Sequence, residues 1–272
     1  MESFLRTPAM ILSLVLCAAA VAVAGQATPF TSPPLTPGDM EAFLLKAKIV
    51  AVREAGIGVT GSLRATLTDG TLTHDVHIQS VDVTRSSGQK AGFTDSYRFN
   101  IAGYRLARLL GIEVVPMSVE REMNGEPASF TWWVDDVLMD ERERLERKTL
   151  GPNPARTANQ FQLMHIWDEL IQNADRNQGN ILWTKDWTMR LIDHTQAFRL
   201  GDKLLKPDEL MRIDRRLLAR LKGLTRDGVA LAVGESLQPS EQEALLQRRD
   251  RIVTLFEERA ARVGDTVVYV DF

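Results

Sequence analysis

Two carboxylates and an amide, set close together between Asn173 and Asp193, are the residues of this chain best suited to chemistry on a phosphate ester. The run is Asn173-Ala174-Asp175-Arg176-Asn177-Gln178-Gly179-Asn180-Ile181-Leu182, followed by Leu191-Ile192-Asp193-His194. Phosphoryl transfer needs one carboxylate near the attacking hydroxyl, and an amide oxygen plus a second carboxylate to hold magnesium on the phosphates. Asp175 and Asn180 are five residues apart, and Asp193 follows thirteen later, about the span of a hairpin that carries it back beside the loop. Two other readings use the same residues. Asp175, Asn177 and Gly179 also begin like a calcium loop, although Gly179 and Asp186 stand where that loop wants Asp or Asn and Glu. A plain polar turn is the third.

On these residues the chain resembles the atypical kinase-fold proteins, which include the phosphatidylinositol kinases, the HipA-like kinases and the secretory-pathway kinases, in a bacterial-type exported form. Their signature is close to Asn-Thr-Asp-Arg-His-x-x-Asn-hydrophobic, then hydrophobic-Ile-Asp, and Asn173 to Asn180 with Ile192-Asp193 follows it over about 25 residues. The resemblance implies that Asp175 is the catalytic base and that Asn180 and Asp193 are metal ligands. It implies an α+β, two-lobed fold with a small antiparallel-sheet N-lobe and a mainly helical C-lobe. Gly56, Gly58 and Gly61 form G-x-G-x-x-G, where a loop could lie over nucleotide phosphates; alone, such a motif is equally a glycine-rich turn.

The same alignment shows two departures. Gln79 stands where the N-lobe strand should carry a phosphate-holding lysine, and Asn100 where the helix should carry its partner glutamate. A Gln-Asn pair can hydrogen-bond but cannot neutralise phosphate charge. Lys90 or His77 are the candidate substitutes. The resemblance therefore implies ATP or another nucleotide with Mg²⁺ or Mn²⁺ as cofactors. The acceptor is unspecified among protein, lipid and small molecule. An exported pseudokinase, binding a ligand or a protein without turnover, is the alternative.

The elements that must position these residues follow from pattern. Ser62 to Thr68 and Thr71 to Val81 alternate around Asp69-Gly70, a hairpin signal. Phe99, Ala102, Leu106 and Leu110 recur at helical spacing from Asp95 to the stop at Gly111. Val114 to Glu120 and Phe130 to Val134 read as strands joined at Asn124-Gly125, with Val134 to Leu138 as the connector that contacts adenine. Trp132 and Trp133 read as packing residues. The second half is helical: Phe161 to Ile171, an arginine-rich helix from Asp208 to Leu221, and a long helix from Glu241 to Val263 with a Ser240/Glu243 capping box. Arg212, Arg215, Arg216 and Arg220 read as a solvated face. The N-lobe is expected over 41–139 and the C-lobe over 140–272.

Composition places the chain among ordinary globular proteins: 272 residues, 44% hydrophobic, 25% charged. A net charge of -3 gives no general attraction to nucleic acid, which is set aside as a partner. Arg6 precedes an apolar run from Pro8 to Ala24, and Ala22-Val23-Ala24 offers a cleavable end. Residues 1–24 are therefore expected to be a signal peptide, and 25–40 a proline-rich linker, with the product periplasmic or secreted and without a stable membrane span. An uncleaved anchor is the competing reading. Cys17, the sole cysteine, would leave with the signal peptide.

Overall fold

Thr36 caps the first helix of the computed structural model, which describes residues 35–55, 62–85 and 93–271. The stretch read as a signal peptide, most of that read as a linker, the glycines Gly56, Gly58 and Gly61, and Lys90 lie outside the described residues. Helix α1 (Pro37–Lys46) begins inside the stretch read as linker, because Pro37 suits the first helical turn and Thr36 and Asp39 form a reciprocal capping box.

Five antiparallel strands build the front sheet in the order β1-β2-β3-β7-β6: β1 (Lys48–Glu54), β2 (Leu63–Thr68), β3 (Thr73–Gln79), β6 (Ser118–Met123) and β7 (Glu126–Trp132). The β6–β7 turn is made by Asn124 and Gly125, both at positive φ, the conformation a two-residue hairpin requires. Alternation in β3 puts Val76 and Ile78 into the core with Phe43, Leu44, Leu67 and Phe130. His77 and Gln79 therefore point the other way. Trp132 packs against Phe43 and stacks on His74, and Trp133 lies under the Arg64 guanidinium.

A small hairpin, β4 (Asp82–Arg85) with β5 (Phe93–Ser96), precedes helix α2 (Arg98–Leu109). Asp95, expected at the start of that helix, is thus on a strand. Gly111 ends α2 at φ 62°, and a side chain there would collide with Arg220, whose Nη1 donates to Leu110 O at 2.8 Å. Arg220 thus does more than line a solvated face.

Behind the sheet the chain is mainly helical. It runs through β8 (Val137–Asp140), α3 (Glu141–Glu146) and α4 (Pro154–Ile171) to the hairpin β9 (Ile181–Thr184) and β10 (Met189–Leu191). Strand β8 pairs with β9, giving a second sheet in the order β10-β9-β8. The expected helix from Asp208 is shorter: a single 3-10 turn at Pro207–Glu209 and strand β11 (Ile213–Asp214) come first. Helix α5 (Arg215–Lys222) starts only after the Asp214 carboxylate accepts from the Arg216 and Leu217 amides. After α6 (Arg226–Val233), the long helix is α7 (Pro239–Val263), and its capping box is Gln238 with Glu241 rather than Ser240 with Glu243, two residues early because Pro239 takes the first helical position. Helix α8 (Asp265–Val268) and β12 (Tyr269–Val270), parallel to β11, complete the described chain. A second core gathers Trp167, Trp183, Leu191, Phe198 and Phe256 together with Phe99 and Leu106 of α2. Among the described residues no helix is long and apolar enough to cross a membrane.

Candidate active site

Helix α4 stops at Gln172, which turns left-handed at φ 51° and hands the chain to the Asn173–Asn180 loop. The loop is held by its own amides. Asn173 Oδ1 accepts from Asp175 N at 3.4 Å, and Asn177 Oδ1 accepts from Gly179 N at 2.9 Å. This leaves Asp175 exposed and Asn180 half-buried. The hairpin β9–β10 then returns the chain, and Ile192 N donates to Asn180 O at 3.1 Å, setting the backbones that carry Asn180 and Asp193 side by side.

Arg176 locks this arrangement. Its guanidinium pairs with Asp168 of α4 at 2.9 Å, with side chains only 7% and 14% exposed. Nη1 donates to Ile192 O at 2.8 Å and to Asn180 O at 3.3 Å, while Nη2 lies 3.2 Å from His194 Nε2. Trp167 Nε1 donates to the same His194 nitrogen at 3.2 Å. Burial, reinforced by the Arg176 charge, holds the His194 pKa well below its ordinary value. The imidazole is therefore neutral, with Nε2 as the acceptor. Asp193 itself sits at φ 54°, exposed, and its Oδ1 accepts from Thr195 Oγ1 at 3.0 Å. A non-glycine residue kept left-handed between such fixed neighbours is the kind of strain that collects at functional sites.

The N-terminal half supplies the opposite wall. Asn100 Nδ2 donates to Gln79 Oε1 at 3.1 Å and to Ser129 Oγ at 3.3 Å, and Asn100 Oδ1 accepts from His194 N at 2.9 Å. Both amide hydrogens and the carbonyl of Asn100 are engaged inside the protein, so it positions strand β3 and the segment after Asp193. It is not disposed to hold a ligand directly. His77 faces the same region: burial lowers its pKa, while the nearby Asp193 charge acts in the opposite sense. Asp95 on β5 also belongs here, because Asp193 and Asp175 both act on its carboxyl.

A cavity of about 610 Å³ opens beside the connector after β7, lined by Trp132, Trp133, Asp136, Arg108 and Arg190 among others. None of Asp175, Asn180, Asp193, Gln79 or Asn100 lines it. It is separate from the candidate site.

The side chains of Asp193, Asn180 and Asp175 all end in oxygens of the kind that suits a hard divalent cation. Among the described residues no three His, Cys, Asp or Glu side chains form a preformed cage.

A front antiparallel sheet, one helix carried across to a helical half, and an Asp-bearing loop beside an Asp-bearing hairpin define a two-lobed kinase-like fold. Compared by sequence, the chain matches no family model and no curated protein. Compared by structure, it is similar to hydra Fam20 solved with sugar, with 15% identity over 87% of this chain and 93% of that one and a TM-score of 0.67. It is likewise similar to the Golgi casein kinase with Mn/ADP bound, at 14% identity, 86% and 78% coverage and a TM-score of 0.63. A Helicobacter pylori proinflammatory kinase, CtkA, aligns at 11% identity, 81% and 98% coverage and a TM-score of 0.51. The fold is that of the atypical kinase-like proteins.

Arg176 and Asp95 are residues beside the candidate site that sequence reasoning missed. Arg176 lay inside the motif, but nothing local revealed its partners Asp168 and Ile192. Asp95 had no sequence signal as a site residue.

Proposed function

We propose that the protein is an exported, metal-dependent nucleotide-binding phosphotransferase of the atypical kinase type. The observation that carries this reading is the Arg176 lock, which fixes the backbones around Asp175, Asn180 and Asp193 against one another. Asp175, exposed on the loop, would orient an acceptor hydroxyl and take its proton as the new oxygen–phosphorus bond forms and the bond from that phosphorus to the departing nucleoside diphosphate breaks. Asn180 and Asp193 hold the divalent ion. When bound, that ion would neutralise part of the charge on the nucleotide phosphates. Because Gln79 and Asn100 are uncharged, metal must supply more of the phosphate neutralisation than in a site with a lysine–glutamate pair. The Golgi casein kinase solved with Mn/ADP supports that pairing of nucleotide and divalent ion. Gly56, Gly58 and Gly61 would cover the phosphates. The N-terminal pattern of Arg6 and the run to Ala24 supports export.

A second reading, a pseudokinase that binds without turnover, is favoured by the same neutral Gln79–Asn100 pair. Thermal-shift titration with ATP or ADP and Mg²⁺ or Mn²⁺ tests binding. Saturation to a hundredfold over Kd stabilises by about 2.7 kcal/mol, and Asp193→Ala should abolish the shift. Absence of a shift with every metal defeats both readings as nucleotide binders. Loss of ATP consumption in Asp175→Asn, with binding retained, ranks the phosphotransferase above the pseudokinase.

A further inference from the structure

Asp95 presents a buried carboxylate with one oxygen left without a hydrogen-bond partner. It is 5% exposed, and its Oδ1 is enclosed without a hydrogen-bond partner. The strand that bears it is anchored to the opposite wall, because Ser96 N donates to Thr195 O at 2.8 Å. The Thr195 hydroxyl reaches two carboxylates: it donates to Asp193 Oδ1 at 3.0 Å and shares a hydrogen bond with Asp95. A hydroxyl has one hydrogen to give. Of two carboxylates meeting at one hydroxyl, one is therefore left without its hydrogen, and a further donor or a cation is needed to satisfy it. A buried acidic group without its counter-ion is costly, and an ion ligated by both carboxylates removes that cost.

We infer that Asp95 is a further ligand of the divalent-cation site, its free Oδ1 and the Asp193 carboxylate holding one ion between the β4–β5 hairpin and the segment after β10, with Thr195 orienting both. This rests on the proposed nucleotide- and metal-binding reading and extends it to the front half of the molecule. The site has two protein carboxylates and leaves the remaining positions to phosphate oxygens and water, as suits Mg²⁺ or Mn²⁺. It also gives the lobe that lacks the phosphate-holding lysine a different hold on the nucleotide, through the ion rather than through an ammonium.

The test measures Mn²⁺ binding to the full chain by loss of the free-ion electron paramagnetic resonance signal, with and without ADP. The variants are Asp95→Asn, Asp95→Ser and Asp193→Asn, with melting temperatures measured in chelator. Asp95→Asn should weaken Mn²⁺ about tenfold or more and reduce the Mn²⁺-induced rise in melting temperature, while the metal-free protein melts no lower than wild type. Asp95→Ser, which leaves room for a water ligand, serves if the amide disturbs the fold, and should show the same loss. Unchanged Mn²⁺ affinity in a folded Asp95 variant, with affinity lost in Asp193→Asn, overturns the inference and leaves the proposed function standing, with Asp95 a protonated buried acid. No Mn²⁺ bound by wild type, with or without ADP, overturns both.

Discussion

Arg176 shows how a single side chain can convert a loop sequence into a site. Its charge is shared between Asp168 and two backbone carbonyls that belong to the segments of Asn180 and Asp193. Arg176→Gln would leave Asp168 nearly buried without its partner, and removing one member of such a pair typically costs about 3–5 kcal/mol. Urea unfolding should show that loss, and Asp168→Asn added to Arg176→Gln should recover part of it. The Gln79–Asn100 pair invites the reverse experiment. Asn100→Glu alone buries an unpaired charge and should lower stability by several kcal/mol, about as much as Gln79→Lys alone. The double variant should be more stable than the two losses added together, and should bind ATP with Mn²⁺ more tightly than wild type. A strictly additive cycle would mean that the two side chains no longer meet. The candidates Asp175, Asn180 and Asp193 could be picked out from sequence because their types and intervals are local. Arg176's partners and Asp95's place were not, because Asp168 is reached across a helix end and Thr195 lies a hundred residues from Asp95.

Among the elements, the β9–β10 hairpin does most to return Asp193 to the loop, and its turn is tied by Asp186. That carboxylate accepts from the Thr184 hydroxyl, from Thr188 Oγ1 at 2.8 Å and from Thr188 N at 3.2 Å. These bonds, the one from Thr184 foremost, lower its pKa from 3.8 to about 2. A carboxylate whose folded pKa is depressed contributes stability above its unfolded value and loses it as pH falls through the folded one. Asp186 is exposed, so solvent keeps the contribution small. Asp186→Asn should cost about 0.5–1 kcal/mol at neutral pH, and the difference in melting temperature from wild type should close between pH 4 and pH 2. A gap that persists at pH 2 would show that the side chain acts by shape alone. Hairpins and helix stops were legible where a turn residue carried the signal: Gly70, Asn124-Gly125, Gly111 and Gly264 all stand at positive φ. Helix starts were less so. Several side chains near Asp208 and Ser240 are capable caps, and which one serves is decided by Pro239 and by the β11–β12 pairing, a contact between distant residues. The β4–β5 pair escaped because each strand has only four residues, too short to show an alternating run.

At the scale of the molecule, two apolar cores are joined through α2. Phe99 and Leu106 belong to the rear core, Asn100 reaches the front sheet, and Tyr104 packs against both cores. The two-lobed architecture was legible in outline from the order of hairpin, helix, strands and helices. Its joining through a neutral amide network was legible only as a pair of departures. A chain of this size buries enough surface to fold without covalent staples, and Cys17 is its single cysteine, so no intramolecular disulfide can form. If the segment through Ala24 is removed on export, the product has no thiol at all. The protein recovered from the periplasm or medium should therefore have an intact mass matching a start at Gly25. Unfolded in guanidinium, it should titrate no thiol with Ellman's reagent. Its melting temperature should be the same with and without dithiothreitol, because the cores alone hold the lobes. One thiol per chain would show instead that the apolar N-terminal run is retained as an anchor, which would place the candidate site at a membrane surface and narrow its acceptors to groups that can reach it there.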